Sequence, residues 1–154
     1  MPTPTLGFQN DTQINKSEIA QTQLKEAIAL FLDKNFLCAI TLAGAAEAIL
    51  AGLLNSRGEH SVVEASFKSI QTIREATGLT IMGNRQKNEI FNQWNTARNT
   101  LKHHNNKDEE AVTINLFDEA YWMIKRALAN TSKLGIRIDN ELDFENWCLI
   151  KLHI

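Results

Sequence analysis

Apolar side chains recur along the chain at helical spacing and mark out successive amphipathic segments. Behind Asn15, a candidate N-cap with Glu18 three residues on, Ile19, Leu24, Ile28, Phe31 and Leu32 predict a first helix running to about Lys34. After Asn35 the segment FLCAITLAGAAEAILAGLL carries only Thr41 and Glu47 as polar side chains. It reads as a central helix surrounded by the others, with Ala45, Ala48 and Gly52 letting a neighbour approach closely. A membrane span is the competing reading. The length is sufficient, but a carboxylate in mid-segment is costly in lipid and Ala and Gly are weak drivers of insertion, so the central helix is preferred and no membrane partner is expected.

Gly58 closes that segment, and Ser61 with Glu64 forms the capping box of a third helix that turns Val63, Phe67, Ile70 and Ile73 inward and stops at Gly78. A connector containing Gly83 leads to a fourth helix from near Asn84, with Ile90, Trp94, Ala97 and Leu101 on one stripe and its end at Asn105-Asn106. After a polar loop, Asn115 with Asp118 starts a fifth helix whose apolar face is Leu116, Phe117, Ala120, Ile124, Ala127 and Leu128, ending before Gly135. A short extended stretch and a last helix from about Asn140 complete the chain. The prediction is an all-α, up-and-down bundle of five to six helices in a single domain over residues 14–154, preceded by a flexible tail over residues 1–13.

Composition narrows this only a little. Both prolines, Pro2 and Pro4, lie at the N-terminus, so nothing beyond them forbids long helices. Cys38 and Cys148 sit among apolar neighbours without CxxC or Cys/His spacing and read as buried free thiols. No basic stretch precedes an early apolar run, so a cytoplasmic protein is expected. The formal charge is −2, but residues 84–107 carry a net +4 through Arg85, Lys87, Arg98, Lys102 and Lys107 against Glu89. The remainder is therefore acidic, and the basic stretch is either a solvated helix face or a surface for an anionic partner.

That stretch contains WNTARNTLKHHNNKD, residues 94–108, where an arginine precedes two imidazoles by five and six residues. Arginine can clamp a phosphate and histidine can exchange a proton near neutral pH. Together they could cleave RNA without a metal: a histidine would deprotonate the ribose 2'-OH or protonate the departing 5'-oxygen, and Arg98 would stabilise charge on the phosphorus. A 2',3'-cyclic phosphate would result. Neither a cofactor nor a metal is expected, since adjacent histidines point apart on a helix and no H-x-x-x-H spacing occurs.

The string RNTLKH, with Arg98, polar Asn99 and His103, resembles the motif of HEPN (higher eukaryotes and prokaryotes nucleotide-binding) proteins, small helical bundles marked by an arginine, usually a polar residue, and a histidine after four to six positions. His104 also falls within that range. The resemblance extends to the apolar second helix with its lone acid. It implies a metal-independent endoribonuclease of toxin or defence type, a homodimer with a composite Arg/His site at its interface, and often an antitoxin partner. Some members only bind nucleotide, RNA or protein, so a non-catalytic binding module is the alternative.

Helical geometry adds a constraint. On a straight helix His103 lies about 140° round from Arg98, while Lys102 shares Arg98's face. A joint site over Arg98 and His103, with Asn99, Lys102 and His104 assisting, needs the helix to loosen or a second subunit to contribute. Glu47 is the expected partner of Arg98, orienting its guanidinium, unless that carboxylate lies on a narrow wet edge. Arg98 could equally be a structural ion pair, and the histidines helix-terminal cations. Trp94, Trp122 and Trp147 are expected in the core or a dimer interface rather than as base-stacking platforms.

Overall fold

The computed structural model describes residues 4–79, 81–83 and 85–154. It is an all-α bundle of α1 (Lys16–Leu32), α2 (Phe36–Ser56), α3 (Val62–Thr77), α4 (Lys87–Trp94), α5 (Thr96–Thr100), α6 (Leu116–Leu134) and α7 (Glu141–Leu152). No strand occurs among the described residues, and the stretch before α7 is irregular chain that buries Ile138.

The helix ends follow capping chemistry. Lys34 closes α1 in the left-handed conformation, φ +63°. Its amide and that of Asn35 donate to the Phe31 and Leu30 carbonyls, the double bond of a Schellman turn. Asn35 then serves α2, its side-chain oxygen accepting the Cys38 amide at 3.3 Å. Ser61 and Asn115 cap α3 and α6 in the same way. Gly78 and Gly135 end those helices at φ +66° and +70°, where a Cβ would be strained. Asn15 occupies the N-cap position of α1 without a side-chain bond.

α2 is the axis of the fold. It packs most extensively on α1 and α6, and α7 closes the layer against α1. Leu24, Ile28 and Phe31 of α1 meet Ile40, Ala43 and Leu50 of α2, and Met123, Ile124 and Ala127 of α6, in one core that includes Phe144 and Cys148 of α7. Phe31 centres an aromatic group, with Phe36, Phe117, Phe144 and Trp147 at 5.0–5.6 Å between centroids. Val63, Phe67, Ile90 and Ala97 of α3 to α5 are buried apart from that core. α2 is also the one described helix long and apolar enough to cross a membrane by length and composition.

Several expectations are corrected. Among the described residues the bundle has seven helices rather than five or six, because the fourth predicted helix breaks at Asn95 and ends at Thr100 instead of Asn105-Asn106. Its predicted start near Asn84 lies outside the described residues, and α4 begins at Lys87. Ile73 is 42% exposed rather than inward. Only one side of α3 meets the bundle, through contacts with α4 and α6. Of the two places expected for Trp122, the core or a dimer interface, its 61% exposure removes the core. Cys38 is exposed, because the first turn of α2 leaves it and Leu37 at the surface.

Cys148 is buried, and that burial pushes its thiol up from the ordinary value, with the Glu145 carboxylate adding to the effect. A disulfide-exchange reagent is therefore expected to titrate one thiol in the native protein, Cys38, and the second only in denaturant. Two fast-reacting thiols under native conditions would contradict this packing of α7.

Candidate functional site

The site is built around one carboxylate. Glu47 is 3% exposed, on the face of α2 that also carries Ala43, Gly44 and Leu50. Withdrawing an ionised carboxylate from water is costly unless cations and donors replace the solvent. Arg98 of α5 supplies the nearest cation, its Nη1 lying 3.0 Å from Glu47 Oε2 and 3.4 Å from the Gly44 carbonyl. The Cγ and Cδ methylenes of Arg98 occupy the place where a Cβ at position 44 would stand, so Gly44 is what lets the side chain lie across α2. The sequence-level pairing of Glu47 with Arg98 is present, and the alternative of a wet-edge Glu47 is not.

A second guanidinium, absent from the sequence-level reading, completes the cluster. Arg126 of α6 places Nη2 3.5 Å from Glu47 Oε1. Asn130, one turn on, approaches the same oxygen at 3.5 Å through Nδ2 while its Oδ1 accepts the Val62 amide at 2.8 Å. Glu47 thereby gathers α5, α6 and the start of α3 onto α2. The side chains of Arg98 and Arg126 are 14% and 15% exposed, and the Nε atom of each lacks a hydrogen-bond partner among the described residues. Burial pushes the Arg126 pKa down and repulsion from Arg98 adds to this, with Glu47 opposing both. Arg126 remains a cation, so the cluster holds two positive charges on one negative. The available signal was its spacing: Arg126 and Asn130 are four apart on a helix, with the apolar Ala127, Leu128 and Ala129 between them.

Arg126 also bonds to the chain at the helix break. Its Nη1 donates to the Trp94 carbonyl at 3.0 Å and its Nη2 to Asn95 Oδ1 at 2.9 Å. The Thr96 hydroxyl donates to the Asn92 carbonyl at 2.8 Å. Side chains thus satisfy carbonyls that a straight helix would bond to its own amides. Trp94 is half-buried and stacks on Phe91, which meets Phe67 edge-on, so it packs rather than presenting a platform.

Beyond α5 the Lys102 and His103 amides still bond to the Asn99 carbonyl, and then the chain leaves helical geometry. Asp108 Oδ2 accepts the Asn105 amide at 2.7 Å and shapes the following turn. An open groove of about 690 Å³ forms there, lined by Asn99, Lys102, His103 and His104 together with Asp108, Glu109 and Glu110. Both histidines are exposed. The structure therefore brings Asn99, Lys102, His103 and His104 together, but Arg98 does not line the groove: it points inward to Glu47, as the angular separation on a helix implies. Among the described residues no group of three or more His, Cys, Asp or Glu is placed to hold a metal ion. No family model, curated protein or solved structure matches the chain.

Glu47→Ala leaves two buried guanidiniums facing each other without their anion, and is expected to lower folding stability by about 3–5 kcal/mol in urea denaturation. Glu47→Gln, which keeps the volume and one acceptor, should cost less. A loss from Glu47→Ala under about 1 kcal/mol, the level of an exposed pair, would mean that the cluster is solvated.

Proposed function

We propose that the chain is a HEPN-like protein of the cytoplasm that acts on RNA, a metal-independent endoribonuclease of toxin or defence type working as a homodimer. The observation that carries this reading is the groove, where a lysine, an asparagine and two exposed imidazoles stand together at the end of α5. Imidazoles near neutral pH can serve as the acid and the base of phosphodiester transesterification, and Lys102 can hold the phosphate. The basic balance of residues 84–107 supplies attraction for a polyanion within an otherwise acidic chain. In this reading His103 and His104 move protons, and Lys102 and Asn99 hold substrate. Arg98 orients the segment from the Glu47 pair or meets the phosphate across a dimer interface. A cognate antitoxin belongs to the same proposal.

A second reading is favoured by the direction of Arg98, whose guanidinium already faces Glu47. In that case the protein is a non-catalytic module that holds RNA, nucleotide or a protein partner on the same groove.

Wild type and the Lys102→Ala, His103→Ala and His104→Ala variants, incubated with total RNA in EDTA, separate the two. Wild type is expected to leave 2',3'-cyclic phosphate ends, and loss of the working histidine to slow cleavage by about a hundredfold or more. Binding without cleavage by wild type selects the module, and equal cleavage by all four proteins removes the enzyme reading. Arg98→Ala is interpreted together with its melting temperature, because it also strips Glu47 of its nearest cation.

A further inference from the structure

The groove depends on where the chain leaves α5, and α5 depends on the break before it. A continuous helix from Lys87 onward would carry Lys102, His103 and His104 along the axis of α4. Instead the axis ends at Trp94, Asn95 adopts φ −105° and ψ 4°, and a five-residue helix starts afresh. Neither glycine nor proline stands at the break; Asn95 is a weak helix former and the Thr96 hydroxyl bonds back to the Asn92 carbonyl, so the local sequence permits a break that a tertiary contact can hold.

One side chain from another helix makes two hydrogen bonds at the break. The planar fork of Arg126 reaches the Trp94 carbonyl with Nη1 and both Asn95 Oδ1 and Glu47 with Nη2. α6 is anchored in the core by Ile124, Ala127 and Leu128 on either side of Arg126, so the fork is held on a rigid element. We propose that Arg126 is a positioning residue of the groove: its guanidinium fixes the break between α4 and α5 and so sets the course on which Lys102, His103 and His104 leave the helix. Among the described residues it makes no hydrogen bond or ion pair to a groove residue, and it acts through Trp94 and Asn95. Its role in catalysis rests on the proposed function, while its role in placing the histidines does not.

Lysine retains the charge beside Glu47 but cannot donate to the Trp94 carbonyl and Asn95 Oδ1 as a fork. Arg126→Lys is therefore compared with Asn95→Ala, which removes one acceptor and leaves the pair with Glu47, and with Asn95→Asp, which restores an acceptor. The readout is the imidazole carbon–proton NMR spectrum of the free protein, where His60 and His153 lie outside the groove and serve as references. The expected result is that Arg126→Lys and Asn95→Ala shift the His103 and His104 resonances, leave His60 and His153 in place, and that Asn95→Asp returns the groove signals toward wild type. Where wild type cleaves RNA, the two perturbing variants should lose roughly tenfold to a hundredfold in kcat with a smaller change in KM. Unshifted groove resonances in Arg126→Lys and Asn95→Ala, or equal shifts of all four histidines, would overturn the proposal. Absence of cleavage by wild type removes the catalytic reading and leaves the spectral test standing.

Discussion

An ionised carboxylate inside a helical core has to be surrounded by cations and donors, and Glu47 imposes that requirement on most of this structure. Its oxygens face Arg98, Arg126 and Asn130, which come from α5 and α6, and Asn130 in turn holds the first amide of α3. Gly44 provides the lane along which Arg98 reaches it. Clusters of this kind are poor sources of net stability, since well-packed apolar side chains of similar volume often do as well. What they supply is direction. A guanidinium satisfied by a carboxylate at 3.0 Å has little freedom to point elsewhere, and the short helix that bears it is oriented accordingly.

Hydrophobic spacing located the long helices because their buried stripes are regular: Leu24, Ile28 and Phe31 in α1, and Ile124, Ala127 and Leu128 in α6, lie where periodicity puts them. The capping residues Ser61 and Asn115 were legible for the same local reason. The break at Asn95 was not. Ile90, Trp94, Ala97 and Leu101 form an unbroken helical stripe, and the side chain that interrupts it is more than thirty positions away on α6. Ile73 and Trp122 mark a related limit, since a periodic apolar residue is buried only where a neighbouring element covers it.

The candidate site divides along the same line. Glu47 and Arg98 could be paired from sequence because a lone acid in an apolar helix calls for a cation, and Arg98 lay at the edge of the right stripe. That Arg98 and His103 would face different ways followed from counting helical steps, and the structure leaves Arg98 at the carboxylate and the histidines on the groove. That Asp108, Glu109 and Glu110 share a groove with Lys102 and His103 could not be read from sequence, because it depends on the turn closed by Asp108 onto Asn105. A groove lined by both basic and acidic side chains constrains how a polyanion can lie in it.

The division of the buried residues has a further consequence. The main core belongs to α1, α2, α6 and α7, whereas α3 to α5 join it through polar links: Arg98 to Glu47, Asn130 to the Val62 amide, Arg126 to the Trp94 carbonyl and Lys133 to the His60 carbonyl. The aromatic group around Phe31 draws on none of the residues of that layer. The segment with the histidines is therefore carried by the polar-linked layer and not by the four-helix core.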